Sequence, residues 1–344
     1  MIKKQNTGAG EVSTSRKVDF LKDRDNYEEN TEDFQMKETH MSFLFLTAQH
    51  VYKMKKPVKY DLADFRTLEA RRFNCMEELR LNKRLAEEIY LEVLPLSLTT
   101  EGKLDLGGTG KAVDWLVKMK RLDEEQMLDF ALKNNSLNEK YLNKAISKLS
   151  EFYKSSTAAE ENPEKYLKKI KEKIRANQKE LLDPDFDLSQ EQLEEIFSLQ
   201  YAYLKKEAAV FKERVLKGKV IEAHGDLKPE HVCLKKEPLI IDCLEFNKDL
   251  RILDTAEELS FLAIECELLG NEKLGELFFQ IYREITEDEV QDSLINFYKS
   301  IQASQRTRFA IWHIKEERYK NDPKWKKRAQ NFLDLAQKYA ERLH

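Results

Sequence analysis

Between residues 218 and 246 a long helical pattern breaks off, and a short island of strand-forming residues takes its place. Val220-Ile221-Glu222-Ala223 reads as a strand running into His224-Gly225-Asp226. Val232-Cys233-Leu234 and Leu239-Ile240-Ile241 read as a hairpin about a Lys235–Pro238 turn, and this hairpin delivers Asp242. The island is the most informative place in the sequence, because it interrupts a half of the chain that is otherwise helical.

That helical half begins after Asp123. Ser136 with Glu139 predicts a capping box that opens a helix through Phe152. Asn162-Pro163 predicts a second helix to about Leu182, with proline at its first position, and Pro184 ends it. Ser189 with Gln192 predicts one long helix reaching Val215, and the chain beyond Asp254 reads as helical to its end. The first half is different. Its first 35 residues or so are polar and charged, and much of this stretch is expected to be loosely ordered. Two strands joined by a short turn are expected between Met41 and Val58, and a helix from about Thr67 to Glu88. Leu94–Leu98 and Ala112–Met119 read as strands about a glycine-bearing turn. The expectation is therefore a small α+β lobe over residues 1–122 and a helical lobe over 123–344.

The island spells His224-Gly225-Asp226-Leu227-Lys228-Pro229-Glu230-His231, followed by Ile241-Asp242. Its spacing matches the protein-kinase catalytic loop, H-R-D-L-x-x-x-N, with the later metal-binding aspartate. With glycine before the aspartate it resembles the aminoglycoside phosphotransferase and choline kinase branch of the kinase-like fold. More specifically, the chain resembles an aminoglycoside phosphotransferase-like bacterial family often fused to a C-terminal P-loop ATPase domain, which is not expected in this chain. The resemblance rests on Val51-Tyr52-Lys53-Met54-Lys55-Lys56-Pro57-Val58, Glu77-Glu78-Leu79-Arg80-Leu81-Asn82, Val117-Lys118-Met119-Lys120-Arg121-Leu122, and His224 through Asp254. It implies an α+β, bilobed protein-kinase-like fold, with a β-rich N-terminal lobe for nucleotide and a larger, mainly helical C-terminal lobe for the acceptor.

The resemblance also implies roles. Phosphoryl transfer needs the triphosphate clamped, its charge neutralised and an acceptor hydroxyl held in line. Asp226 would accept the hydroxyl proton, Asp242 would offer carboxylate oxygen to Mg²⁺, and His231 would stand at the second metal position. Lys53 would reach the phosphates of ATP and pair with Glu78, while Met119, Lys120, Arg121 and Leu122 would form a hinge touching adenine. Strand alternation puts Lys53 and Lys55 on one face, so the pattern alone does not separate them; the resemblance favours Lys53. Glu77 and Glu78 are similarly adjacent, and Glu78 is favoured. His224 is expected to hold the loop backbone.

Three departures stand out. His231 replaces the expected asparagine, and imidazole nitrogen suits Mn²⁺ or Zn²⁺ better than Mg²⁺. No glycine occurs between Gly10 and Gly102, so Thr39–Ser42 or Thr47–His50 would have to cover the phosphates with side chains. Glu258 stands where an aspartate that braces the HGD loop is usual, and its longer side chain could still reach. One decoy falls away. Gly107-Gly108-Thr109-Gly110-Lys111 lacks the flanking residues of a P-loop and reads as a hairpin turn.

Composition narrows the function class. Of 344 residues, 59 are Lys or Arg and 63 are Asp or Glu, a net charge of −4 that gives no reason to expect nucleic acid or an anionic membrane as partner. Four scattered cysteines suit reduced thiols, and the polar N-terminus lacks the apolar core of a signal peptide, so a cytoplasmic protein is expected. The leading expectation is an ATP-dependent kinase acting on a small-molecule hydroxyl; the alternative is a nucleotide-binding pseudokinase with a regulatory role. The helices from about Asn162 to Leu216 would wall the acceptor, and their lysines balance their acids, so they do not select a cation.

Overall fold

The computed structural model describes residues 12–60, 62–186, 188–315 and 322–343. They form two compact units, Met1–Asp123 with Ile240–Lys248, and Glu124–Leu239 with Asp249–His344.

The first unit opens with α1 (Thr14–Lys22), capped by the Ser13 hydroxyl. This helix lies in the stretch expected to be loosely ordered; the rest of that expectation, on residues 1–11, falls outside the described residues. The polar composition hid a good anchor. Val18 and Leu21, three apart on one helix face, enter a core with Phe45, Tyr52, Met54, Leu96 and Leu116. Six antiparallel strands follow: β1 (Gln35–Glu38), β2 (Ser42–Leu46), β3 (His50–Lys55) and, after the small ladder of β4 (Lys59–Tyr60) with β5 (Ala63–Asp64) and the helix α2 (Leu68–Ala86), β6 (Tyr90–Leu98), β7 (Leu104–Leu106) and β8 (Lys111–Lys120). Their order in the sheet is β1-β2-β3-β8-β6-β7, with Phe45 opposite Tyr52 and Lys53 opposite Val117. Period-two alternation sends Tyr52 and Met54 to the core shared with α1, and Lys53 and Lys55 to the other face, where α2 packs. Thr67 caps α2 by accepting the Ala70 amide, a contact worth about 1 kcal/mol. The Gly107–Gly110 stretch is the expected turn between β7 and β8, and Gly107 takes the positive φ of 79° that the turn needs.

The second unit carries α3 (Leu128–Lys133), α4 (Glu139–Ser155), α5 (Pro163–Leu181), α6 (Gln190–Lys206), α7 (Ala208–Leu216), β9 (Val220–Glu222) and β10 (Val232–Cys233). Strand β11 (Leu239–Ile240) and the short α8 (Lys248–Arg251) mark the chain's passage out of and back into this unit. Then come β12 (Ile252–Asp254), α9 (Thr255–Leu268), α10 (Leu274–Thr286), α11 (Asp292–Lys315) and α12 (Pro323–Ala340). Two expectations need correcting. The cap of α4 is Asn138, not Ser136: its side chain accepts the Tyr141 amide at 3.1 Å. The long helix expected to reach Val215 breaks at Glu207 into α6 and α7, and the Glu207 amide closes α6 on the Tyr203 carbonyl. Asn162 and Ser189 cap α5 and α6 as expected. The island strand β9 pairs antiparallel with β12, Ile221 opposite Leu253.

Candidate active site

In the first unit, two lysines and three carboxylates come together between β3, α2 and the segment after β11. Lys53 Nζ lies 2.8 Å from Glu78 Oε1 and donates to Asp242 Oδ1 at 2.9 Å. Lys55 Nζ donates to the other oxygen of Glu78 at 2.7 Å and also meets Glu245 Oε1. Glu78 is fully buried, and Glu77 faces outward to pair with Arg80. A bare carboxylate inside a protein is costly, so a buried Glu78 needs both cations. Burial opposes its charge, but attraction from Lys53 and then Lys55 outweighs that and holds the carboxyl below its ordinary range. Likewise burial opposes the charge on Lys53, and Asp242 and Glu78 together raise its pKa well above that of a free lysine. Glu78 and Lys53 are both ionised at neutral pH.

Asp242 is held from two sides. Its backbone amide donates to the Tyr90 hydroxyl at 3.1 Å, and the next amide, of Cys243, donates to Asn82 Oδ1 at 2.9 Å. Glu78 and Asn82 are four apart on α2, so one helix face positions both the lysine partner and the backbone beside Asp242. Asp242 adopts a left-handed φ of 61°, and its side chain is 44% exposed. Lys55, Glu245, Tyr90 and Asn82 complete this constellation and were not picked out as site residues from the sequence. For Lys55 the signal was present, in its shared strand face with Lys53; Glu245 had none beyond its nearness to Asp242.

The Met119–Leu122 segment lies in the first unit too. Met119 sits in the sheet opposite Val51, the Lys120 amide donates to the Ile89 carbonyl, and the Arg121 amide donates to the Gln49 carbonyl. A base meeting Met119–Leu122 would thus use groups other than these two amides. Thr39 and Thr47 spend their hydroxyls closing their own turns, on Ser42 and His50.

In the second unit the HGD loop is held from beneath. The Gly225 amide donates to Glu258 Oε1 at 2.6 Å, and Tyr153 donates to the other oxygen at 2.8 Å. Glu258 does reach. Gly225 itself has φ 88°, open to glycine alone without strain. His224 is buried and its Nδ1 accepts the Asp226 amide at 3.3 Å. His231 Nδ1 donates to the Asp226 carbonyl at 2.8 Å, which ties that ring into the same loop. Lys228 Nζ stands 2.9 Å from Asp226 Oδ2 and 3.3 Å from Glu230. Burial disfavours the Lys228 charge, yet Asp226 and Glu230 more than compensate and raise its pKa. Among the described residues no group of three or more His, Cys, Asp or Glu is placed to hold a metal. None of their helices is long and apolar enough to cross a membrane.

No protein-family profile matches the chain. It is 29% identical over 279 residues to an uncharacterized protein of Mycobacterium tuberculosis (strain H37Rv), and equally to one of Mycobacterium bovis, covering 79% of this chain and 54% of each relative. The chain thus spans about half the length of the curated relatives it matches. Among solved structures it resembles a choline kinase from Cryptosporidium parvum (TM-score 0.53, 12% identity, 96% of each chain). It also resembles a choline/ethanolamine kinase family protein from Mesorhizobium loti (TM-score 0.52, 13% identity, 95% of each chain). A third likeness is to the GDP complex of aminoglycoside 2'-phosphotransferase-IIIa (TM-score 0.52, 12% identity, 90% of this chain and 94% of that one). The fold these likenesses share with the chain is the α+β, bilobed protein-kinase-like fold, with a smaller β-rich N-terminal part and a larger, mainly helical C-terminal part.

Proposed function

We propose that this chain is an ATP-dependent phosphotransferase that moves the γ-phosphate to a hydroxyl of a small molecule. The observation that carries the reading is the Lys53 ammonium held jointly by Glu78 and Asp242. A lysine fixed in direction by a buried glutamate, beside a half-exposed aspartate, suits a phosphate chain and its counterion. Mg²⁺ keeps most of its waters and takes one or two carboxylates plus substrate phosphates, so the exposed side of Asp242 fits without a three-residue cage. When bound, the ion would neutralise phosphate charge. His231 is a poorer candidate for a second Mg²⁺, since imidazole offers nitrogen where that ion favours oxygen; its Nδ1–H on the Asp226 carbonyl leaves Nε2 as the ring's remaining donor atom.

Asp226 would take the proton from the acceptor hydroxyl as its oxygen bonds to the γ-phosphorus. The bond to the bridging oxygen breaks, and its electron pair leaves with ADP. Lys228 would balance the Asp226 charge until then. The test is titration calorimetry with Mg·ATP, followed by an ATP-consumption screen against pooled metabolites with Mg²⁺ and Mn²⁺, with Asp226→Asn as the blank. Binding that Lys53→Met abolishes, with turnover that Asp226→Asn abolishes while nucleotide still binds, supports the reading. A chain that binds no Mg·ATP refutes it. Histidine at 231 in place of an amide oxygen, together with the absence of glycine between Gly10 and Gly102, favours one second reading, a pseudokinase, and ATP binding with no turnover on any acceptor would select it.

A further inference from the structure

Residues 306–328 hold nine Lys and Arg against three Asp and Glu, in a chain whose net charge is −4. Two of these cations, Arg306 on α11 and Arg328 on α12, converge on one buried carboxylate, Glu265 on α9. Arg328 donates to Glu265 Oε2 at 3.3 Å. Arg306 Nε lies 2.7 Å from Oε1, but the approach is too bent for a hydrogen bond, so both of these buried atoms lack a hydrogen-bond partner. Two guanidinium groups therefore share the Glu265 carboxylate as their ion-pair partner, Arg306 through a contact without hydrogen-bond geometry. Phe261, Phe309 and Phe332 surround the Arg306 guanidinium at 5.5–5.9 Å and fix its plane.

This cluster belongs with the catalytic loop. Glu265 lies seven residues after Glu258, two turns along the same face of α9, so it stands about 10 Å from the carboxylate that braces Gly225. Arg306 is near enough to bear on the Lys228 ammonium, and Arg328 on the Glu230 carboxylate. A quaternary ammonium or polyamine acceptor would be repelled here. Planar guanidinium forks instead match the oxygens of a phosphate.

We infer that Arg306 and Arg328 form a seat for an anionic group, so that the acceptor is an alcohol already carrying a phosphate. The inference deepens the phosphotransferase reading and rests on it for the word acceptor. The test is ¹⁵N NMR of the arginine Nε–H groups in the full chain, assigned with Arg306→Gln and Arg328→Gln, during titration with inorganic phosphate at constant ionic strength and saturating Mg·ADP. Saturable shifts of both resonances, with affinity weakened about tenfold or more in Arg328→Gln, support the seat. Arg328 is 35% exposed, so its variant stays informative if Arg306→Gln does not fold. Resonances that stay still, or that move equally with chloride or further with choline, overturn it. Mg·ADP affinity is read in the same sample: its absence sinks the phosphotransferase reading, whereas unmoved resonances with normal nucleotide binding sink only the seat.

Discussion

The carboxylate of Glu258 accepts the backbone amide of Gly225 at 2.6 Å, across 33 residues of chain. It thereby fixes the residue immediately before Asp226. Catalysis by a positioned carboxylate is sensitive to displacements of about 1 Å. Glu258→Ala should lower kcat about 10- to 100-fold with Mg·ATP affinity nearly unchanged, and Glu258→Gln, which keeps an acceptor, should fall between. Steady-state kinetics beside nucleotide calorimetry decides this; a change confined to nucleotide affinity would contradict it.

Lys53 and Lys55 share Glu78 but differ in surroundings: Lys55 is 1% exposed and also meets Glu245, whereas Lys53 faces Asp242. Lys55→Met leaves Glu245 and half of Glu78 uncompensated inside the unit and should destabilise by about 3–5 kcal/mol. Lys53→Met should cost less stability and remove nucleotide binding. Urea unfolding and calorimetry on the two variants would show opposite rankings, and identical rankings would dissolve the distinction.

Acid should unfold this protein earlier than alkali. Glu78 and Asp288 are buried against their own charge and the half-exposed Glu230 is partly desolvated, yet Lys53, Arg214 and Lys228 respectively lead the attractions that keep each carboxyl below its ordinary value. A carboxyl depressed in the fold stabilises it above the unfolded value, about 4, and loses that contribution as pH falls through the depressed one. Lys53 and Lys55 are raised, so their contribution is complete below the free-lysine value and is lost only as pH climbs through the raised one. The urea midpoint should therefore stay level through neutral pH and drop below about pH 4. A midpoint that is unchanged in strong acid would refute the ionised cluster.

Arg214 donates to both oxygens of Asp254 at 2.6 and 2.7 Å and to both of Asp288 at 2.7 Å. Asp254 also caps α9, the helix that carries Glu258 and Glu265. Arg214→Met strands two buried carboxylates and should cost about 3–5 kcal/mol. Thermal unfolding measures it, and a loss under about 1 kcal/mol would mean that the pair relaxes to water.

What the sequence made legible was local chemistry in order along the chain. The HGD loop, the strand face of Lys53 and Lys55, and Asn162 with Pro163 at a helix start all depend on near neighbours, which a pattern can show. The misses have a common cause. Helix α1 is polar in composition and is held by Val18 and Leu21 entering a core made by strands much later in the chain. Asn138 and Ser136 are both good caps, and only the packed start of α4 chose between them. Glu245 became a partner of Lys55 because the segment after β11 returns to the first unit, a fact of topology that no spacing encodes. The Arg306–Arg328–Glu265 cluster likewise draws one residue from each of three helices.

Asp242, with its φ of 61°, carries a constraint that has nothing to do with ions. Asparagine and glycine tolerate that backbone shape, while valine, isoleucine or threonine would strain it whatever the side chain does. A survey of all nineteen replacements would accordingly score position 242 as intolerant for two superimposed reasons. Asparagine removes the charge and spares the bend, and glycine removes the side chain and eases the bend, so the pair dissects electrostatics from shape.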